Sequence, residues 1–272
     1  MSIFEAIFVG IIQGITEFLP ISSDGHLVLV PGVFHLPPPD LNLISIAHQG
    51  TLLAVLVYFR RDLWRILLAV LDGLRRRQPL ATLDARLGWY IAVGTIPAVV
   101  VGFLFKELFE EAFSQPFIAA LGLFVTAAFL FMGERLLSGR KQLTQMGWLD
   151  AVMIGVMQIP ALLPGVSRSG GTIAAGLWRG FDRPTAARFS FLLGVPAIAG
   201  AGVLAIFDLL NAPGLSAQIP LLVAAFLSSL VVGYAAIAFL LSWLRRGSLY
   251  VFIVYCVMFG ALSLVLIATG WM

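Results

Sequence analysis

Charge and cysteine are what this 272-residue chain has least of. Only 11% of its residues are Asp, Glu, Lys or Arg, where an ordinary water-soluble domain carries about 25%. A soluble fold of this length is therefore not expected. The one cysteine, Cys256, lies in an apolar run, which leaves no partner for an intrachain disulfide and no cysteine metal cluster. No basic stretch precedes the first apolar run, which Glu5, Gln13 and Glu17 interrupt, so the start is not expected to be a cleaved leader. The net charge of +3 is read as orientation in a membrane before it is read as a ligand preference, and no nucleic-acid partner is expected.

What is present is hydrocarbon. Hydrophobic residues make up 60% of the chain and the mean hydropathy is +0.99, which marks an integral membrane protein. Runs long enough to cross a bilayer cover about residues 43–59, 88–105, 117–133, 184–207, 219–243 and 248–270. Two other segments are each split into short runs by polar residues: residues 3–16 and 22–34 around Glu17 to Pro20, and residues 148–181 around PGVSRSGGT. Neither piece of either pair reaches the roughly 20 residues a span requires, so each pair reads as a re-entrant helical hairpin. The expected fold is all-α: six transmembrane helices plus two re-entrant hairpins in one membrane domain.

The plan occurs twice, over about residues 1–134 and 148–272, and GIIQGITEFLPISSDG at residue 10 loosely matches GVMQIPALLPGVSRSGG at residue 155. A hairpin plus three crossings is an odd number of crossings, so the two repeats are expected to be inverted. Charge agrees. Seven arginines between Arg60 and Arg86, then Arg135, Arg140, Lys141, Arg245 and Arg246, fall on one face. Glu5, Asp40, Glu107, Glu110, Glu111 and Asp208, with Lys106 the only basic residue, fall on the other. The arginine face is expected to be cytoplasmic, and RRDLWRILLAVLDGLRRR to lie along the membrane surface.

The polar breaks carry the candidate chemistry, because ionisable groups at membrane depth are costly unless they pair or work. QGITEFLPISSDGH supplies Gln13, Glu17, Ser22, Ser23, Asp24 and His26, and PGVSRSGGT supplies Ser167, Arg168, Ser169, Gly170 and Thr172. Two hairpin tips meeting near mid-membrane would form an anion pocket of backbone N–H groups. Arg168 presents a planar fork suited to phosphate oxygens. Ser23 can attack phosphorus, with Glu17 or His26 moving the proton. A hard divalent cation, Mg²⁺ or Ca²⁺, is expected near such a pocket, with Glu17 and Asp24 as its protein ligands. Ser22, Ser167, Ser169 and Thr172, each taken alone, read as structural hydroxyls that cap helices or bond across them rather than as catalytic groups, and His48 and Gln49 read as helix packing. A carrier for a lipid phosphate would need the same arginine and amides but not the serine, glutamate and histidine, and a hydrolase of another lipid phosphate would keep the chemistry and change the tail.

These motifs, with HQGTLLAVLVYFR from residue 48, resemble the undecaprenyl-diphosphate phosphatase family, also called the bacitracin-resistance protein family, over essentially the whole chain. The resemblance implies hydrolysis of undecaprenyl diphosphate to undecaprenyl phosphate and phosphate. It also implies bacitracin resistance, a bacterial inner-membrane location and a site open to the outer face. Glu17, Ser23, His26 and Arg168 fall on the family's main catalytic positions, Gln13 on the first position of its acidic motif, and Ser167 and Thr172 on its arginine motif. Gln13 stands where some members carry Glu, and Asp24 where Ser or Thr is usual. A membrane-embedded polyprenyl diphosphate is the expected partner, and a homo-oligomer is left open.

Overall fold

The computed structural model describes residues 1–210 and 215–272, with side chains at all of these except positions 110, 204–206, 208, 210 and 217. Glu110 and Asp208, assigned above to the acidic face, thus have side chains outside the described set. Among the described residues the fold is helical, and its one β feature is an isolated bridge between Lys141 and Phe181. Two short helices open it, α1 (Ile3–Phe18) and α2 (Ser23–Val33). Then come α3 (Leu41–Tyr58), α4 (Arg60–Arg75), α5 (Leu83–Leu104), α6 (Lys106–Phe113) and α7 (Pro116–Leu136). A second short pair follows, α8 (Trp148–Val156) and α9 (Arg168–Trp178), joined through a 3₁₀ turn at Pro160–Leu162. The long helices α10 (Arg183–Leu210), α11 (Leu215–Trp243) and α12 (Tyr250–Ala268) complete the chain. Among the described residues six helices, α3, α5, α7, α10, α11 and α12, are long and apolar enough to cross a membrane, as expected of a multi-pass membrane protein.

Local chemistry sets the helix starts. Ser2 and Glu5 form a reciprocal capping box on α1. Asp40 accepts from the Leu43 amide at 2.7 Å to open α3, and Thr82 from the Ala85 amide at 3.2 Å to open α5. Packing then depends on small residues, since lipid tails give apolar side chains no reason to leave them. α1 lies along α11 and α8 along α5. A methyl on Gly10 would strike Ser228 and the Ala225 carbonyl, and one on Gly155 would strike Gly94. α3 and α10 lie against each other and α7 runs along α12.

Two buried carboxylates tie the helix ends at the arginine-bearing face. Glu134 at the end of α7 accepts a forked pair from Arg183 and the Leu249 amide at 2.6 Å, joining α7, α10 and the start of α12. Asp150 accepts from Lys141, from Arg179 at 2.7 Å and from the Gly147 amide at 2.9 Å. Burial pushes the Asp150 carboxyl up, but these donors outweigh it and hold the group below its ordinary 3.8.

Candidate active site

The two short pairs meet at their turns. Gly165, in the turn before α9, has φ +85°, a conformation that costs a residue with a Cβ about 1–2 kcal/mol. Added bulk there would also overlap the Ala119 carbonyl of α7. A Cβ on Gly25, in the first turn of α2, would lie 2.8 Å from Gly165 Cα, so the turns touch backbone to backbone. Ser169 Oγ donates to the Leu19 carbonyl at 3.2 Å, a second tie between them. Thr126 of α7 clamps the second turn, donating to Gly165 O and accepting from the Ser167 amide, both at 2.8 Å.

Glu17, in the last turn of α1, is the hub of this junction. Its Oε1 accepts from Arg168 Nη2 at 2.5 Å, and its Oε2 from Gln13 Nε2 at 2.9 Å and Ser23 Oγ at 2.8 Å. Gln13 and Glu17 are one helical turn apart and so share a face of α1. Arg168 is the first residue of α9, so the ion pair joins groups 151 positions apart in sequence. The pair is buried, with 5% of the Glu17 side chain and 16% of the Arg168 side chain exposed. Two atoms at the hub have hydrogen-bonding capacity to spare, Arg168 Nη1 and Gln13 Oε1, both buried and without a partner among the described residues. The guanidinium lies directly on Gly194 of α10, where any side chain would displace it.

The remaining predicted residues divide between the mouth of this junction and its supports. Asp24 lies at the mouth, a quarter exposed, with Oδ1 3.5 Å from His48 Nε2. His48, read from sequence as packing, instead turns that nitrogen to within 3.5 Å of both Asp24 and Glu17 while its Nδ1 meets the Ile44 carbonyl at 3.0 Å. Gln49 does pack, against Gly202 of α10. His26 is engaged on both sides: Nδ1 with the Ser22 carbonyl and Nε2 with Tyr255 Oη, each at 2.7 Å, its ring stacked on Tyr255 and Phe259 of α12. A carbonyl at Nδ1 fixes that nitrogen as the N–H, so in the neutral ring Nε2 accepts the tyrosine hydroxyl proton. Ser22 caps α2 through the Gly25 amide at 3.2 Å and holds φ +71°, unusual for a residue other than glycine. Ser167 caps α9 through the Gly170 amide at 3.0 Å and sits 3.1 Å from Ser169 Oγ. Thr172 bonds Arg168 O at 2.8 Å and Ser190 of α10 at 2.6 Å, locking the first turn of α9.

The structure therefore brings Gln13, Glu17, Ser23 and Arg168 into one hydrogen-bonded cluster, with Asp24 and His48 at its rim. It uses Ser22, Ser167, Gly170 and Thr172 in the caps that hold the two helix starts. Sequence reading missed Thr126, Ser190 and Tyr255, which carry no local motif and join the site only through the fold. His48 did offer a signal, an ionisable group inside a span.

A divalent cation is accommodated here only in part. Such an ion takes six or more oxygens, and among the described residues no three His, Cys, Asp or Glu side chains converge to hold one. Both Glu17 oxygens are already engaged, which leaves the Asp24 carboxylate as the protein group with capacity to spare.

Residues 6–262 match the family model described as "Bacitracin resistance protein BacA". The chain is 44% identical over 281 residues to an undecaprenyl-diphosphatase of Chlorobium phaeovibrioides, covering 99% of each. It is 43% identical to one of Myxococcus xanthus, covering 99% of this chain and 91% of that one, and 42% identical to one of a Nocardioides species, covering 98% and 97%.

Proposed function

This chain belongs to the bacitracin resistance protein BacA family, and from that premise we propose that it hydrolyses undecaprenyl diphosphate to undecaprenyl phosphate and inorganic phosphate. The observation that carries the reading is the Ser23 hydroxyl bonded to Glu17, which Arg168 holds from the opposite turn. A carrier needs an anion site but has no use for a hydroxyl on a carboxylate, which favours hydrolysis over transport.

The chemistry follows from which atoms are engaged. Arg168 Nη1 has no partner among the described residues, so a terminal phosphate oxygen can take it, and a second oxygen can displace Glu17 from Nη2. That exchange frees Glu17 from its cation and makes it a better base. Ser23 Oγ then attacks the terminal phosphorus as its proton passes to Glu17, and the bond to the bridging oxygen breaks, the Glu17 carboxylic acid giving that proton to the departing lipid phosphate. Glu17, again a carboxylate, takes a proton from water as the water oxygen attacks the serine phosphate, and returns it to Ser23 Oγ as inorganic phosphate leaves. Arg168 and the first amides of α2 and α9 stabilise charge on the transferred group. Asp24, with Glu17, would hold a divalent cation, and such a cation would supply positive charge against the phosphates. His26 is a positioning residue in this scheme, fixing the start of α2 between Ser22 and Tyr255.

The two short pairs are, in this reading, re-entrant hairpins of inverted repeats spanning about residues 1–134 and 148–272. The pairings support it, because exchanging the halves maps α1 on α11 to α8 on α5, and α3 on α11 to α10 on α5, while α3 with α10 and α7 with α12 map onto themselves. The arginine-bearing face would be cytoplasmic and the pocket would open to the outer side of a bacterial inner membrane.

Phosphate release by the purified protein, measured on undecaprenyl diphosphate, undecaprenyl phosphate and phosphatidate, tests the proposal. Release from the diphosphate alone is expected. Release from neither prenyl lipid, with the protein still binding them, would overturn hydrolysis in favour of carriage.

A further inference from the structure

Nothing in the reaction uses α4, yet its surface is divided into three sectors. Ile66 and Val70 face α5, where Gly88 makes room for them, and the buried Gly73 lies against the turn at Gln78 and Pro79. Trp64, Leu67, Leu68, Leu71 and Leu74 fall at helical spacing on another sector, each between 47% and 61% exposed. Arg65, Asp72 and Arg76 share the third sector, where Arg65 pairs with Asp62 and Arg76 with Asp72, each at 2.8 Å. A helix with an uncovered apolar stripe bordered by charge, between two helices that cross a membrane, lies in the plane of the lipid interface.

Its remaining arginines decide which lipid. Arg60 donates to the Val57 carbonyl at 3.1 Å, whereas Arg61, Arg75 and Arg77 are exposed and have no hydrogen bond or ion pair among the described residues. Arg77 is the more telling, because it occupies a position that favours glycine. It follows the helix cap with φ +57°, and the Arg77 and Gln78 amides bond back to Leu74 O at 3.1 Å and Gly73 O at 2.8 Å. That turn ends helices most cheaply with glycine, and an arginine there bears the strain of a Cβ. Three unneutralised cations thus rim an apolar stripe.

We propose that α4 is a docking site for anionic phospholipid, the tryptophan and leucine stripe lying among acyl chains and Arg61, Arg75 and Arg77 on the headgroup phosphates. Each arginine near an anionic surface contributes about fivefold in affinity, so the three together favour anionic over zwitterionic lipid on the order of 100-fold.

The test places the full chain in phosphatidylcholine vesicles doped with brominated phosphatidylglycerol or, at equal mole fraction, brominated phosphatidylcholine. Quenching of Trp64 is isolated as the difference between the wild type and Trp64→Phe. Half-quenching is expected at a far lower fraction of the brominated anionic lipid, with the preference collapsing in high salt and in the Arg61→Gln, Arg75→Gln, Arg77→Gln triple variant. Arg77→Gly, which relieves the backbone while removing one charge, is expected to lose about fivefold on its own. Phosphate release stays unchanged in all variants, which shows that they are folded. Equal quenching by the two lipids in the wild type, a preference that survives the triple variant, or no quenching of Trp64 at all would each overturn the proposal.

Discussion

Removing either partner of the Glu17 and Arg168 pair is expected to cost more than removing both. With 5% and 16% of the two side chains exposed, solvent cannot rescue a lone charge, and breaking such a pair from one side costs about 3–5 kcal/mol. The two single changes are not equivalent. Arg168→Gln leaves the Glu17 carboxylate with Gln13 and Ser23 still donating, which puts its cost near the lower figure, about 3 kcal/mol. Glu17→Gln takes from the guanidinium its one acceptor at the junction, with Nη1 already unpartnered, and belongs near the upper figure, about 5 kcal/mol. In the double variant two amides face each other with no net charge, so the loss should be nearer about 2 kcal/mol and the coupling about 6 kcal/mol. Unfolding in mixed micelles titrated with a denaturing detergent, followed by tryptophan fluorescence, measures the cycle, while phosphate release should be abolished in all three proteins. Free energies that add to within about 0.5 kcal/mol would mean that the two turns do not meet through this pair, and the site as described would be wrong.

Ser23→Ala is expected to lower turnover at least about 100-fold with little loss of stability, and near-normal phosphate release would rule out the serine as nucleophile. Asp24→Ser should weaken the dependence of turnover on a divalent cation, and an unchanged metal titration would remove Asp24 from that role. Tyr255→Phe leaves His26 Nε2 without its 2.7 Å partner; a loss of about 1–3 kcal/mol in stability with turnover within about tenfold is expected, and a collapse of turnover at unchanged stability would show that His26 takes part in proton transfer. The carboxyl of Asp150 is depressed in the folded chain, so its stabilisation is present above the ordinary value of 3.8 and is lost as pH falls through the lower folded value. Asp150→Asn should therefore destabilise the protein at pH 7 and flatten the acid limb of its stability curve, and an unchanged limb would refute that assignment.

Spans were legible because hydrocarbon thickness imposes their length. α3, α7, α11 and α12 begin and end close to the apolar runs that announced them. α5 begins at Leu83 rather than about residue 88, since the Thr82 cap starts the helix in the polar segment that holds Asp84 and Arg86. The eight-residue α6 was read only as an acidic stretch, because so short a helix carries little more than two turns of pattern. Within the site, Glu17, Ser23 and Arg168 were legible as polar residues with no business in hydrocarbon. Their supports were not, because Thr126, Ser190 and Tyr255 are ordinary members of spans until the fold brings Gly165, Thr172 and His26 to them. His26 shows the limit of motif reading: adjacency in sequence placed it with Ser23, while its ring nitrogens turn to the Ser22 backbone and a tyrosine on α12.

The bond between Glu17 and Arg168 also has a meaning for biogenesis. When the ribosome has delivered α1 to α7 into the membrane, the acidic half of the centre is complete but its counter-ion is still unsynthesised. Until then Glu17 has only the Gln13 and Ser23 donors and His48 beside it, so the nascent chain holds an unfinished, inert centre. The ion pair closes only when α9 arrives, so the catalytic centre of the hydrolase is assembled after more than half of the polypeptide has been made.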